Sequence, residues 1–386
     1  MNNTDRNFES LRVFLEGHAE SNSVSFHMPG HKGSRFYRNL GYGDLIEKLV
    51  DMDITEIPGA DNLFQPESVI RRIMDRYKAL YETEETFLSV GGSSAGLIAA
   101  ILATVGEGDS VIMARNSHKS IYNGVRLACG EPIYVYPEIV EASNVAGEIS
   151  LEALDKALKE WESKEGNSSE WGANDNFGPV VILPSPNYYG ICSDIKSIAE
   201  MVHERDGILI VDQAHGAHLK FMAEVPAAED CGADIVINSV HKTLCSFTQT
   251  AIVNLCSERV QKELLEDRLQ MIQTSSPSYM LMLSLDICSE ILEQRGLSLF
   301  AEWKENVDWF YREASQIGDI EILSHPMQDR TKIVFKKNGM SGYELESRLA
   351  ERGLVMELAD SEWVISMTGI GNTRDDYEKL LEALRP

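Results

Sequence analysis

Two neighbouring stretches decide the predicted fold: residues 208–218, ILIVDQAHGAH, and residues 234–243, DIVINSVHKT. Each contains an unalternating apolar run rich in Ile and Val, which is typical of a parallel strand buried on both faces. Each run then ends in polar side chains, Asp212 in the first stretch and Ser239 with Lys242 in the second. Because parallel α/β sheets bind ligands at the carboxyl ends of their strands, these side chains are candidates for a functional site.

The same rhythm extends over residues 84–256, where short β-rich runs alternate with helix-like segments. This order predicts βαβ units and a mostly parallel central sheet with helices on both faces. After a helical stretch at residues 257–316, the order strand, helix, strand, strand, helix predicts a small α+β domain. We therefore expect an α/β protein with an N-terminal arm (1–50), a large domain (51–290) and a small C-terminal domain (291–386).

Composition limits the function of this 386-residue chain, which is 43% hydrophobic and can bury a large core. A formal net charge of -26 argues against nucleic acid or an anionic membrane as a partner and favours small cations. The sequence has no apolar run of about 18 residues and no signal-peptide pattern, so we expect a cytoplasmic protein. Residues 164–178 are polar and rich in Gly, Asn and Ser, which predicts a surface loop.

No metal site is expected. The six cysteines are scattered without a CxxC pair, which argues against a zinc site or a disulfide framework. His27 and His31 are four residues apart, but the Pro-Gly pair between them excludes a regular helix. His215 and His218 lack a third ligand placed by the sequence, so active-site and packing roles are favoured for them.

A third stretch, residues 90–96 (VGGSSAG), follows a predicted strand and opens a predicted helix. Its two glycines allow a tight turn, and the next amides, with the hydroxyls of Ser93 and Ser94, face the positive end of the helix dipole. A phosphate would fit there. A plain strand-to-helix turn with serines as N-caps is the alternative explanation.

Asp212, Lys242 and His118 each have an alternative role. The carboxylate of Asp212 could cap the next turn, the Lys242 side chain could extend to solvent, and His118 could be a structural hydrogen-bonding group. Together with the glycine-rich turn, they supply what an electron-sink cofactor requires. These parts are an amine for a Schiff base, a carboxylate for a pyridine nitrogen, a phosphate site and an imidazole able to stack on a flat ring.

In the order of its motifs, the sequence resembles the Orn/Lys/Arg decarboxylase family of fold-type-I pyridoxal-phosphate (PLP) enzymes. The resemblance covers nearly the whole chain, and its blocks are FHMPGHKG, DITEIPGADNL, GGSSAG, RNSHKS, SPNYYG, DQAHGAH, SVHKTL and QTSSPSYMLMLSLD. It implies the fold-type-I transferase-like fold and PLP as the cofactor. It also implies a decarboxylase that releases CO₂ from lysine, arginine or ornithine.

The resemblance implies a role for each matching position. Lys242 would form the Schiff base, Asp212 would pair with the pyridine nitrogen, and His118 would stack on the ring. Lys242 or His241 would return a proton after CO₂ leaves. The remaining cofactor contacts would come from the phosphate site and the ring surroundings, namely Ser93, Ser94, Ala95, Ala214, His215, Ser239 and His241.

Ser275 and Ser276 resemble the segment by which family members reach the phosphate site of a neighbouring subunit. A homodimer or larger assembly with shared active sites is therefore implied.

The sequence also departs from the family pattern. Phe64 and Glu67 stand where family members usually carry His and Gly, and Asp329-Arg330 replaces an Asp-Pro pair. The chain ends at Pro386, so we expect the further C-terminal domain of the family to be missing. These departures bear on the substrate and leave the cofactor residues intact.

Three functions compete at this stage: a decarboxylase, an aminotransferase or other PLP lyase, and a catalytically silent PLP-binding regulator. Arg330 is the discriminating residue, because an aminotransferase needs an arginine to hold the α-carboxylate of the substrate. Glu357 or Asp360 could bind the distal cation of a basic amino acid. Tyr188 and Cys192 follow a predicted strand end and are expected to line the site.

Overall fold

The computed structural model describes residues 19–21, 23–57, 60–164, 178–222 and 224–385. Residues 165–177 of the predicted surface loop and residues 1–18 of the predicted arm lie outside this described part. The arm begins with a short strand and two short helices: β1 (Val24–Phe26), α1 (Ser34–Asn39) and α2 (Gly43–Glu47).

The next part of the chain alternates strands and helices, as the sequence predicts. Its strands are β2 (Glu85–Ser89), β3 (Ser110–Ala114), β4 (Glu131–Val135), β5 (Ile139–Val140), β6 (Val145–Ala146), β7 (Val180–Pro184), β8 (Ile208–Asp212), β9 (Ile235–Asn238) and β10 (Ala251–Leu255). Its helices are α3 (Val69–Tyr81), α4 (Gly92–Thr104), α5 (Lys119–Leu127), α6 (Leu151–Lys164), α7 (Ile195–His203), α8 (Val240–Thr243), α9 (Lys262–Ile272) and α10 (Tyr279–Ala314).

Within the described residues, seven strands form the central sheet in the order β2-β10-β9-β8-β7-β3-β4. The five strands from β9 to β4 are parallel, and β10 runs antiparallel to both β9 and β2. The mostly parallel α/β sheet predicted from the sequence is therefore confirmed.

Both faces of the sheet are covered, which explains why its strands read as continuous apolar runs. On β8, Ile208 and Ile210 pack into the core beneath α4, α5 and α9. Leu209 and Val211 point the other way, into the core with α6 and α7. Since successive side chains of a strand alternate between faces, two covered faces require an apolar residue at every position.

The last part of the chain forms a four-stranded antiparallel sheet among the described residues, in the order β11-β12-β15-β14. Its elements are β11 (Ile320–Ile322), β12 (Lys332–Lys337), α11 (Gly342–Glu351), β13 (Leu354–Met356), β14 (Leu358–Ala359), β15 (Val364–Met367) and α12 (Arg374–Leu384). β13 pairs in parallel with β1 of the arm. The helix α10 runs through the expected boundary at residue 290, and the division into domains stays a prediction.

No described helix is long and apolar enough to cross a membrane.

The helix α10 packs its inner face into the largest apolar core, and Trp303 is among its buried residues. The indole is 1% exposed, and its Nε1 donates to the hydroxyl of Thr368 at 2.9 Å. This contact joins the long helix to the residue that follows β15.

We expect Trp303→Ala to lower the free energy of unfolding by roughly 3–5 kcal/mol, because it leaves a large cavity. Leu297→Ala on the same helix is the control, since Leu297 is 94% exposed and its replacement should change stability by less than about 0.5 kcal/mol. Thermal and urea unfolding, followed by circular dichroism, measure both. Equal shifts for the two variants would contradict the assigned packing.

Candidate active site

Three polar side chains converge where β8 and β9 end. Asp212 is the last residue of β8, His215 follows in the next loop, and Lys242 lies in α8 directly after β9. The strand ends are level, because Asp212 is in register with Ile237 on β9. Lys242 Nζ lies 2.9 Å from His215 Nε2. The structure thus brings the two stretches that decide the fold together at one edge of the sheet.

Asp212 is 6% exposed, and its Oδ1 accepts a hydrogen bond from the amide of Ala214 at 3.2 Å. Burial raises the pKa of this carboxyl, and the positive charges of Lys242 and, more weakly, His118 oppose the shift. By accepting this hydrogen bond, Asp212 fulfils part of the turn-capping role considered for it. The remaining lone pairs of the carboxylate are free to accept from a buried cationic donor.

Lys242 does not extend to solvent as a surface lysine would. Burial lowers the pKa of its ammonium group, and the carboxylates of Asp212 and Glu357 act in the opposite direction. A lowered pKa increases the fraction of the neutral amine, which is the form able to bond covalently to a carbonyl group.

His118 is the N-cap of α5, so the structural role considered for it is present. Its Nδ1 accepts from the amide of Ser120 at 3.3 Å and lies 2.8 Å from the hydroxyl of the same residue. Desolvation lowers the pKa of His118, opposed by Asp212 and reinforced by Lys242. The ring therefore stands at the same sheet edge as Asp212 and Lys242.

The glycine-rich turn opens α4 without a side-chain cap, and Gly91 is the N-cap. The alternative in which a serine caps this helix is therefore wrong. A Cβ on Gly91 would lie 2.7 Å from the Cβ of Ala95, so the turn closes only around glycine. Ser93 and Ser94 lie in the first turn, half-buried, where amides and hydroxyls can bind an anion.

The loop after α8, which contains Gln249 and Thr250, contacts both the glycine-rich turn and His241. The side chain of Gln249 donates to the carbonyl of Val90 at 2.6 Å, and the carbonyl of Thr250 lies 2.8 Å from Nδ1 of His241. His241 therefore donates from Nδ1, because a carbonyl oxygen only accepts. Burial lowers the pKa of His241.

The segment that carries Lys242 is held between the arm and the small C-terminal sheet. The amide of Gly30 donates to the carbonyl of His241 at 2.8 Å, and the amide of Ile370 donates to the carbonyl of Thr243 at 3.1 Å. A Cβ on Gly30 would lie 2.6 Å from the carbonyl oxygen of Thr243, so the arm approaches this closely only through a glycine.

The mouth of the site combines three parts of the chain. Glu357, between β13 and β14, accepts from the hydroxyl of Tyr188 at 3.0 Å and from the amide of Met28 at 3.0 Å. The ring of Tyr188 packs on His215 with 5.1 Å between centroids. Tyr188 therefore lines the site as expected, whereas Cys192 packs into a small apolar cluster with Leu219, Val225 and Ala227.

Arg330 and Asp360, two residues considered for substrate binding, form contacts with other parts of the chain. Arg330 forms an ion pair with Asp308 at 2.6 Å and lies over the ring of Tyr311 at 4.3 Å. Asp360 accepts from the hydroxyl of Tyr189 at 2.9 Å, and its other oxygen accepts from two backbone amides of its own turn, those of Glu362 and Trp363.

Four further positions lie away from the cluster. Phe64 and Glu67 lie in a turn organised by Asp61, whose carboxylate accepts from the amide of Glu67 at 2.9 Å. Ser275 and Ser276 are exposed in this single chain.

Sequence reasoning missed Lys332, the first residue of β12. Its side chain is fully buried, and its charge acts on both Asp212 and His215. The only sequence signal is a lysine that opens the apolar strand KIVFKK after Asp329.

Comparison with known proteins identifies the family of this chain. A family model described as Orn/Lys/Arg decarboxylase, major domain, matches residues 11–332. The chain belongs to the Orn/Lys/Arg decarboxylase family. It is 32% identical to an arginine decarboxylase of Bacillus subtilis, over 97% of this chain and 76% of that protein. It is 24% identical to the lysine decarboxylase LdcA of Pseudomonas aeruginosa, over 76% of this chain and 41% of that protein.

Solved structures share the fold of this Orn/Lys/Arg decarboxylase family member. The constitutive lysine decarboxylase of E. coli superimposes with a TM-score of 0.74 at 17% identity, and the chain covers 59% of that structure. An alanine–glyoxylate aminotransferase of Nostoc sp. superimposes with a TM-score of 0.71 at 17% identity, and the chain covers 97% of it. At these identities the likeness shows the fold alone.

Membership of the Orn/Lys/Arg decarboxylase family confirms the predicted fold-type-I fold, PLP as the cofactor and an amino-acid decarboxylase as the enzyme class. The cluster also fits PLP on its own chemistry. The hydroxyl of Ser239 is buried and has no hydrogen-bond partner in the described residues, so it is available to a phosphate. Ala214 is buried beside Asp212, and its methyl group is an apolar contact for a ring.

We predict that borohydride reduction of the PLP-loaded protein fixes the cofactor to Lys242, because its amine is buried beside Asp212 with a lowered pKa. Peptide mapping by mass spectrometry identifies the labelled residue. Lys332 is the internal comparison, since it is a second buried lysine near the same site. A label on Lys332, or on any lysine other than Lys242, would contradict the prediction.

Proposed function

We propose that this chain decarboxylates a basic amino acid, lysine, arginine or ornithine, to the corresponding amine and CO₂. The observation that carries the proposal is the carboxylate of Glu357. It faces Lys242 at the mouth of the site and is held by neutral donors, the hydroxyl of Tyr188 and the amide of Met28. Neither donor carries a charge, so this carboxylate can still pair with a cationic substrate group.

The cofactor contacts follow from the residues at the sheet edge. When bound, PLP supplies an electron sink for the bond that breaks at Cα. Lys242 would hold it covalently, Asp212 would keep its ring nitrogen protonated, and His118 would cover one ring face. Ala214 and His215 would lie on the other side of the ring, and the phosphate would be bound by Ser93, Ser94, Ala95, Ser239 and His241.

Among the residues that the structure describes, no arginine contacts Asp212, His215 or Lys242, which favours decarboxylation over transamination. An arginine on the α-carboxylate would stabilise the charged ground state more than the transition state in which that charge disappears. Arg330 is engaged by Asp308 and Tyr311, which supports a decarboxylase and not an aminotransferase.

A proton must reach Cα after CO₂ leaves, and we assign this step to Lys242. In its neutral form, His241 carries its one ring proton on Nδ1, where the carbonyl of Thr250 accepts it. Lys242 Nζ lies 2.9 Å from His215 Nε2, and burial lowers the pKa of its ammonium group, which makes this group a better proton donor to Cα.

Glu357 then sets the preference for a basic side chain. Its carboxylate would pair with the distal ammonium or guanidinium group, and the net charge of -26 would draw such substrates towards the protein. Asp360, the other candidate, is already engaged by Tyr189 and by its own turn.

The decisive test is to incubate the holoenzyme with carboxyl-labelled lysine, arginine and ornithine and to measure released CO₂. We expect CO₂ from at least one of them. Glu357→Gln should raise KM for that substrate roughly 10- to 100-fold, because one charge-assisted bond is lost. Asp360→Asn is the matched control and should leave KM within about twofold, since it lies outside the proposed contact.

A keto acid formed without CO₂ would contradict the proposed reaction. An unchanged KM in Glu357→Gln would contradict the proposed contact with the substrate.

We also propose a homodimer or larger assembly in which Ser275 and Ser276 complete the phosphate site of a neighbouring subunit, in the cytoplasm. Both serines are exposed in the single chain. Gln273, three residues before Ser276, accepts from the amide of Val90 at 2.9 Å, so the segment starts beside the glycine-rich turn.

Mixed assemblies of Ser276→Arg and Lys242→Ala chains test this sharing. Each parent should be inactive, whereas a heterodimer should regain one working site, because one of its sites then has both an intact lysine and an intact serine. CO₂ release by purified heterodimers measures it. A mixture no more active than its parents would count against shared sites.

A further inference from the structure

Glu229 carries a carboxylate that the reaction described so far does not use. It lies in a short 3₁₀ helix (Ala228–Cys231) that precedes β9. One of its oxygens accepts from Nδ2 of Asn238 at 2.7 Å and from Nδ2 of Asn254 at 2.8 Å. The other oxygen accepts from Nε2 of Gln213 at 2.8 Å. These four side chains form the carboxamide cluster, and its three amide residues are no more than 1% exposed.

One backbone amide fixes the direction of the hydrogen bonds in the carboxamide cluster. The amide of Ala228 donates to Oε1 of Gln213 at 2.8 Å, so Nε2 of Gln213 must face Glu229. The same Nε2 donates to Oδ1 of Asn238 at 3.0 Å, so Nδ2 of Asn238 also faces Glu229. With Asn254, three amide groups donate to one carboxyl group, and its deprotonated form accepts all of them. Burial raises the pKa of this carboxyl, and these hydrogen bonds oppose the shift.

The carboxamide cluster begins where the pairing of the two strands ends. The last pair in the register of β8 with β9 is Asp212 with Ile237. Gln213 and Asn238 are the next residue on each strand. Their side chains, bound to each other and to Glu229, therefore continue the connection between the strands beyond the last backbone pair.

This connection lies on the far side of the sheet from Asp212. Val211, two residues before Gln213, packs into the core with α6 and α7, whereas Ile210 packs on the opposite face. Because successive side chains of a strand alternate between faces, Gln213 lies on the side of Val211 and Asp212 on the side of Ile210. The carboxamide cluster thus holds the two strand ends from behind the covalent site.

We propose that Glu229 is a positioning residue for the covalent site. By binding both Gln213 and Asn238, it fixes the separation between the ends of β8 and β9. That separation sets how far Asp212 lies from the segment that contains Lys242. The inference rests on the proposed roles of these two residues towards PLP, and it adds the group that holds them at a fixed spacing.

Simple stabilisation of the sheet is the competing role. Apolar side chains fill the core on this face, among them Val211 and Val236, and a carboxylate is costly to remove from water in comparison. An apolar residue at position 229 would fill space without binding either amide. The two roles differ in one measurable way, since only the positioning role links Glu229 to the orientation of the cofactor.

Glu229→Gln tests the positioning role, because it keeps the size of the side chain. Its oxygen can still accept from Asn238 and Asn254, but its new N–H group meets the N–H group of Gln213. We expect the visible circular dichroism per molecule of bound PLP to fall, since this signal depends on how the ring is oriented. With the substrate that releases CO₂, kcat should fall roughly 10- to 100-fold and KM should stay within about twofold.

An exchange of the two side chains tests the contact itself. In the double variant Glu229→Gln with Gln213→Glu, the new donor faces a new acceptor, so most of the dichroism and of kcat should return. Gln213→Glu alone brings two carboxylates together and should lower both. Glu229→Leu removes every acceptor of the three amides and should lower both at least as much as Glu229→Gln.

Two controls separate positioning from stability and from charge. Leu158→Ala creates a cavity in the core on the same face of the sheet, so it should lower the thermal stability. Asp230→Asn removes a negative charge from the residue next to Glu229, where it pairs with Lys220 at the surface. Both controls should leave the dichroism per bound PLP unchanged and kcat within about twofold.

Unchanged dichroism and kcat in folded Glu229→Gln and Glu229→Leu proteins would overturn the inference. Equal losses in Leu158→Ala would also overturn it, because they would assign Glu229 to stability alone. Dichroism or PLP binding that is lost in Glu229→Gln and restored by the exchange would support the inference, even in a protein that releases no CO₂, where the proposed reaction alone would fail. PLP bound at a lysine other than Lys242 would overturn both.

Discussion

The burial of opposite charges at one edge of a parallel sheet is the constraint on which this structure depends. Asp212 and Lys242 each lose water at the ends of neighbouring strands, and the removal of water strengthens the interaction between them. Neither charge would be stable there alone. The covering helices, the arm and the small sheet together provide the dry surroundings that make a carboxylate and an amine at this edge chemically useful.

In the same surroundings, the protonation state of the site depends on several charged groups and not on one ion pair. Two carboxylates, two lysines and three imidazoles lie within electrostatic reach of one another, and burial is the first cause of the pKa shifts of Asp212, His215, Lys242 and Lys332. In a low-dielectric environment, a change at one group alters the protonation of the others. The charge of a bound substrate would also alter the protonation of these groups. Recognition of a basic side chain is therefore linked to the chemistry at Cα.

Local patterns predict the sheet and the residues at its edge, because an apolar strand and the polar residue that ends it are adjacent in the sequence. Contacts between segments that are far apart in the sequence cannot be predicted from such local patterns. Glu357 meets the amide of Met28 across 329 residues, and Lys332 meets Asn187 across 145. The pairing of Arg330 with Asp308 likewise depends on how α10 lies beside β12. Serines in the first turn of α4 suggested a cap, but a glycine takes that position because the turn is too tight for a side chain.

The hydrogen bonds that hold α8 from both sides bear on how the protein matures. Gly30 lies far before α8 in the sequence, and Ile370 lies far after it. During synthesis on the ribosome, the segment with Lys242 can leave the exit tunnel long before its second support has been made. Capture of the cofactor in its final geometry therefore requires the segment that contains Ile370 to be made and folded onto α8, so that cofactor content reports on how much of a preparation has docked this segment.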